Sequence, residues 1–193
     1  MKKINIFLAS SHELSAEREI FERRIYRKCK DWFERGIFLH LDIWEDLSAR
    51  LSLTGSQSEY NRYVRNADLF VLLAYTKVGM YTAEEFDTAF GQFQSTQKPF
   101  IFTYFKTPDG VITDDSLAAF HQKLQDLGHF YSPFKDENDL WVQFNQELDR
   151  LETDGFAEFK HAKIASSGNR TITQGDKSVY IEKTGDSTTF TIQ

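Results

Sequence analysis

The sequence predicts an α/β fold: a five-stranded parallel sheet in the order 2-1-3-4-5 between two layers of helices. Three observations carry this. Short, nearly continuous apolar runs recur at 3–9, 37–44, 68–75 and 99–105, as expected of strands buried on both faces. Longer segments between them carry apolar residues at helical spacing. The alternation of the two implies right-handed crossovers, and so a three-layer, flavodoxin-like sandwich with its crevice between strands 1 and 3.

The elements follow in order. KINIFLA, 3–9, is a central strand. Ser10 and Glu13 fit an S-x-x-E capping box that opens the first helix. Leu14, Phe21, Ile25, Cys29 and Trp32 mark its apolar face, with charges opposite, and Gly36 ends it. IFLHLDIW, 37–44, is the second strand; 45–55 reads as a polar connection and 56–66 as a short helix. DLFVLLAY, 68–75, is the third strand. The helix after it is expected to start at Thr82 and to bury Phe86, Phe90 and Phe93. PFIFTYF, 99–105, is the fourth strand, with Pro99 at its first position, where a missing donor is tolerated. A loop around Asp109 and Gly110 leads to a helix over 115–127. GHFYSPF supplies a short fifth, edge strand, and Leu140, Trp141, Phe144, Leu148 and Leu151 stripe the last helix.

After Asp154 the composition changes. The division expected is an α/β body over 1–155, a linker over 156–169 and a short C-terminal β tail over 170–193. The tail holds a ten-residue repeat, Gly175-Asp176 with Ser178 and Tyr180, then Gly185-Asp186 with Thr188 and Phe190. Its Gly-Asp pairs mark turns between segments of β propensity. Three such strands bury little alone, so the tail is expected to pair with the body, another copy or a partner.

Composition narrows the function. Of 193 residues 40% are hydrophobic and 18 are Phe, enough for a sizeable core. A formal net charge of −6 argues against non-specific nucleic-acid binding. No apolar run approaches the ~18 residues that span a bilayer. The N-terminal run is too short, and too soon followed by charge, for a signal peptide. The single cysteine, Cys29, lies between Lys28 and Lys30; it suits the cytoplasm and reads as an ordinary helix residue.

Several chemistries are missing. Neither G-x-G-x-x-G nor G-x-x-x-x-G-K-[ST] occurs, and G-x-S-x-G is absent. His12, His40, His121, His129 and His161 stand at no metal-ligand spacing, so no metal is expected. A receiver domain would need an acidic pair after strand 1 and an aspartate ending strand 3; Ser10-Ser11 and Tyr75-Thr76 stand there instead.

Glu85 has two readings. Thr82-x-x-Glu85 is a capping box, in which Glu85 reaches back to the Thr82 amide. Alternatively Glu85 faces the crevice and stabilises the oxocarbenium-like charge that develops when a ribose–nitrogen bond breaks. With a leaving group that is already cationic, as nicotinamide is in NAD⁺, no general acid is needed and one carboxylate suffices.

INIFLASSHE, ADLFVLLAYT, Tyr81-x-x-x-Glu85 and KPFIFTYF together resemble Toll/interleukin-1 receptor (TIR) domains and their bacterial relatives. Many of these carry W-C-x-x-E at this helix start, with the glutamate catalytic in NAD⁺ cleavage. SSHELSAERE, with S-S followed shortly by A-E-R, also resembles the opening of a TIR-related bacterial family. The resemblance implies that Glu85 is catalytic, that Tyr81 stands for the tryptophan and that Thr82 stands for the cysteine. It places Ser10 and Ser11 on the phosphate or ribose side of the pocket, against plain capping as their other role. Trp44 would stack on a base or belong to the core, and Lys77 would neutralise phosphate or be a solvated loop lysine. NAD⁺ enters as substrate and no cofactor is implied.

The tail, with G-N-x-x-I-x-Q-G-D over 168–176, is similar to C-terminal segments of immune proteins that assemble as amyloid-like motifs. Stacked strands of this kind would gather many bodies together; a hairpin folded on the body, or a flexible terminus, is the other reading. The resemblance thus implies a TIR-like NAD⁺ glycohydrolase, an anti-phage defence effector of the bacterial cytoplasm switched on by oligomerisation. A nucleoside deoxyribosyltransferase-like enzyme and a non-catalytic TIR-like scaffold are the alternatives. Expected partners are NAD⁺, further copies of the chain and a protein recruited through the tail, without nucleic acid or membrane.

Overall fold

The computed structural model describes residues 1–43, 56–156, 181–184 and 187–190. The chain divides into two compact units, Met1–Lys160 and His161–Gln193. In the first, five parallel strands run in the order β2-β1-β3-β4-β5. They are β1 (Lys2–Ser10), β2 (Ile37–Ile43), β3 (Leu69–Ala74), β4 (Phe100–Lys106) and β5 (Ser132–Phe134). The helices are α1 (Ser15–Glu34), α2 (Ser56–Asn66), α3 (Met80–Thr96), α4 (Asp115–Asp126) and α5 (Glu137–Thr153). This is the predicted three-layer architecture.

Period-two alternation splits the strand residues between two cores. Ile4, Ile6 and Leu8 of β1, with Leu69, Val71 and Leu73 of β3, face α1 and α5. Phe7 and Ala9, with Phe70, Leu72 and Ala74, face α2, α3 and α4. Every residue of β3 is buried, which explains its unbroken apolar run. β2, at one edge, alternates buried and half-buried residues. Under the first face Phe144 of α5 meets Phe21 of α1, with ring centroids 5.0 Å apart. Under the second, Phe86 of α3 meets Phe120 of α4 at 5.1 Å.

α1 buries Leu14, Phe21, Ile25, Cys29 and Trp32 as its spacing predicts. It ends where the Gly36 amide donates to the Phe33 carbonyl at a positive φ of 86°. Cys29 is buried, and its Sγ accepts from the Leu39 amide at 3.3 Å.

Four local expectations are corrected. The Ser10–Glu13 capping box does not form. Ser10 ends β1, a one-turn 3-10 segment covers His12–Leu14, and Glu13 turns to Thr76, 63 residues away. The Thr82–Glu85 box does not form either: α3 starts two residues earlier, with Gly79 at the N-cap, and the Ala83 amide donates to the Gly79 carbonyl. Of the three phenylalanines assigned to α3, Phe86 is buried, while Phe90 and Phe93 are half-buried. Finally, β4 begins at Phe100, whose amide donates to Asp68, so Pro99 stands outside the ladder.

In the second unit β6 (Ile181–Thr184) and β7 (Ser187–Phe190) pair antiparallel, Ile181 opposite Phe190 and Thr184 opposite Ser187. The linker and the remaining tail residues lie outside the described residues, as do Trp44 and the connection 45–55.

Candidate functional site

In an open parallel sheet, loops at the carboxyl ends of neighbouring strands border the ligand crevice where the strand order reverses. Here those strands are β1 and β3. Two groups of polar residues gather at this edge, one toward each face of the sheet.

Toward α1 the group is charged and largely buried. Ser10 and Ser11 are both buried. Arg18, only 3% exposed, donates from Nη1 to Ser10 Oγ and to the Ser11 carbonyl, each at 2.9 Å. Beside it, Lys106 at the end of β4 donates to Glu17 Oε1 at 2.5 Å. Its ammonium also lies 5.1 Å from the centroid of the Tyr75 ring, a cation–π distance. The hydrogen bond to Glu17, against the opposing effect of burial, holds Lys106 above its ordinary pKa. Arg18 therefore fixes the turn after β1, and the two serines do not cap α1.

Toward α3 the central group is Glu85. Thr82, Glu85, Phe86 and Ala89 form the buried stripe of that helix at i, i+3, i+4 and i+7. A carboxyl group thus occupies a core position and is 6% exposed. Among the described residues no hydrogen bond or ion pair reaches it. Its neighbour Glu84 is exposed and accepts from Asn61 of α2 at 3.0 Å. Burial, then the like charge of Glu84, pushes the Glu85 carboxyl up to about 8. One turn earlier Tyr81 is 61% exposed, while Thr82 is buried. The i, i+4 spacing sets Tyr81 and Glu85 along one side of the helix. Lys77 is exposed in the loop between β3 and α3.

The structure therefore groups Tyr81, Thr82 and Glu85 on α3, and Ser10 and Ser11 at the end of β1. Sequence reasoning gave Glu13 only a capping role and missed Glu17, Arg18, Thr76 and Lys106. Glu17 and Arg18 had a signal, being the last two letters of the A-E-R motif. The others are joined by contacts between distant segments. No group of acidic, histidine or cysteine side chains suited to a metal ion occurs among the described residues. No helix among them is long and apolar enough to cross a membrane.

No protein-family model and no curated protein matches the chain. Solved structures do. The chain is similar to the RPS4 and RRS1 TIR domain heterodimer, at 9% identity and a TM-score of 0.49, over 81% of this chain and 100% of that one. It is also similar to a conserved protein from Enterococcus faecalis, at 17% identity and a TM-score of 0.39, over 75% of this chain and 99% of that one. Neither likeness bears on chemistry, and the fold assignment rests on the strand order itself.

Proposed function

We propose that the chain is a TIR-like NAD⁺ glycohydrolase with Glu85 as its catalytic residue. The observation that carries the reading is the buried side chain of Glu85, which no hydrogen bond or ion pair reaches among the described residues. A helix that needed only a core residue here would be more stable with an apolar one, because an unpartnered buried acid is destabilising. The capping role that would have explained a glutamate does not occur. A strongly shifted acid on the helix that follows β3 supports a functional reading of this position.

The chemistry follows from its state. At neutral pH a carboxyl held near 8 is mostly protonated in the resting protein. A cationic nicotinamide ring brought alongside favours the carboxylate, so binding releases a proton. The carboxylate then faces the positive charge that grows on the ribose as the bond to nicotinamide breaks. Nicotinamide leaves neutral, without protonation. Water adds at the anomeric carbon and gives up its proton, which balances NAD⁺ plus water against nicotinamide, ADP-ribose and a proton. Tyr81 presents a ring one turn away for stacking. Self-association through the tail raises the local concentration of sites, in keeping with an anti-phage effector that is silent until assembled.

The test is substrate choice. Concentrated protein is incubated with NAD⁺ or with free nucleosides, and released bases are followed by chromatography. Nicotinamide release without nucleoside turnover is expected. Cleavage of nucleosides but not NAD⁺ would transfer the site to the deoxyribosyltransferase-like reading.

A further inference from the structure

The corner where α4 turns into β5 holds two histidines that the proposed function does not use. α4 ends in a Schellman turn. The Gly128 amide donates to the Gln125 carbonyl and the His129 amide to the Leu124 carbonyl, each at 2.9 Å, with Gly128 at a φ of 65°. The residue after the glycine of such a turn commonly packs an apolar side chain back on the helix. Here that residue is His129. Its ring leans on Phe86 of α3, with centroids 6.1 Å apart, and its Nε2 lies 3.0 Å from Thr103 Oγ1 of β4. Two turns back along α4, His121 stacks on Tyr131, with ring planes 1° apart and centroids at 4.7 Å. Phe105 of β4 meets both rings edge-on, at 4.2 Å from His121 and 4.8 Å from Tyr131. The His121 Nε2 is buried and has no hydrogen-bond partner.

Both rings suit the neutral form. The Thr103 hydroxyl can donate or accept, so its bond to His129 survives protonation, but the added charge would lie against Phe86. A protonated His121 would carry a donor at Nε2 with no acceptor to receive it. The charged groups of the surrounding elements are engaged elsewhere. On α3, Asp87 pairs with Lys123 of α4, Glu84 accepts from Asn61, and Glu85 is itself kept mostly protonated by burial. On α4, Asp126 accepts from Gln122 at 2.9 Å. On β4, Lys106 turns to Glu17 of α1. Tyr131 is the titratable group in contact with His121. Burial alone therefore holds both imidazoles below the ordinary 6.5. Such a group stabilises the fold fully above about 6.5, and its contribution is lost as pH falls through the lowered value. The corner has little else to hold it. β5 is three residues long, and Phe130, beside His129, is 92% exposed.

We propose that His121 and His129 form an acid-released latch: neutral, they fasten the corner between α4 and β5 to β4 and α3, and protonated, they let residues 128–134 open from the sheet. An apolar side chain at each position would pack as well and would not respond to pH. Phe86 joins the latch to α3. An opened corner therefore takes one support from the helix that carries Glu85. The latch goes beyond the glycohydrolase reading and does not require it.

Melting temperature does not isolate the latch, because Glu85 responds to pH in the opposite sense. The test is local. Amide hydrogen exchange over residues 128–134 of the full chain is followed between about pH 7 and pH 5, corrected for the intrinsic pH dependence of exchange, and the two imidazole resonances are titrated alongside. The open population of the corner should grow as pH falls, by up to about tenfold per pH unit for each ring that takes up a proton, while the amides of β1 and β3 stay protected. His121→Phe combined with His129→Gln keeps a ring in the stack and a hydrogen-bonding group beside Thr103, and should remove the response. Should that variant fold poorly, the wild-type exchange and the imidazole titrations decide, and both rings must titrate below 6.5. Exchange at the corner that ignores pH, or a response that persists in the double variant, overturns the proposal. So does either ring titrating above 6.5, as attraction to the negative end of α4 or to the Tyr131 ring would cause. No nicotinamide is measured, so either result leaves the role of Glu85 to its own test.

Discussion

Glu85 carries a pH signature that a surface carboxylate would lack. Its pKa in the folded chain is about 8, against an ordinary 4.5. Between those values the folded state holds a proton that the unfolded state has given up. Stability from this group therefore falls as pH rises from about 4.5, and the loss is complete above about 8. The full effect is on the order of a few kcal/mol. Glu85→Gln should flatten this dependence and unfold at a higher temperature than wild type at pH 9, measured by thermal melts across pH. A variant less stable than wild type at pH 9 would show that the carboxylate has a partner in the fold. The sequence placed Glu85 on the helix behind β3 but not in its core stripe. That depended on where α3 begins, and the Val78 amide is held by Ser116, 38 residues on, a bond no local pattern reveals.

Helices and strands were read well where apolar spacing decides, and less well where capping decides. The two S/T-x-x-E boxes looked equivalent to true caps, yet Glu13 was drawn away by Thr76 and α3 started ahead of Thr82. Among the described residues, the side chains that cap α4 and α5 are aspartates. Asp114 accepts from the Ser116 amide, and Asp136 accepts from the amides of Asn138 and Asp139. Asp136→Ala should therefore lower stability by about 1 kcal/mol in urea unfolding, with the m-value unchanged. The strands gave more away. β3 is apolar throughout because both its faces are covered, whereas β5 keeps only three residues of the longer segment assigned to it. A short edge strand has few partners to dictate its length.

The two cores between sheet and helices hold the body together. Phe144 is fully buried and packs on Phe21, Phe102 and Tyr104. Phe144→Ala should cost about 3–5 kcal/mol, read from the urea midpoint. Deleting residues 163–193 should leave a body that still unfolds cooperatively but whose nicotinamide release no longer rises with protein concentration; release that rises as before would remove the tail from the activation scheme. Strand order was legible in the sequence because the alternation of elements leaves few topologies. The polar edge at the ends of β1 and β3 was not, since it is assembled from turns brought together over long separations. The decisive measurement is nicotinamide release from NAD⁺ by the assembled full-length chain, wild type against Glu85→Gln. The account predicts release by wild type and a fall of about 10²–10³-fold or more in the variant, with its fold intact. Equal rates in the two proteins, or no release by an assembled wild type, would contradict it.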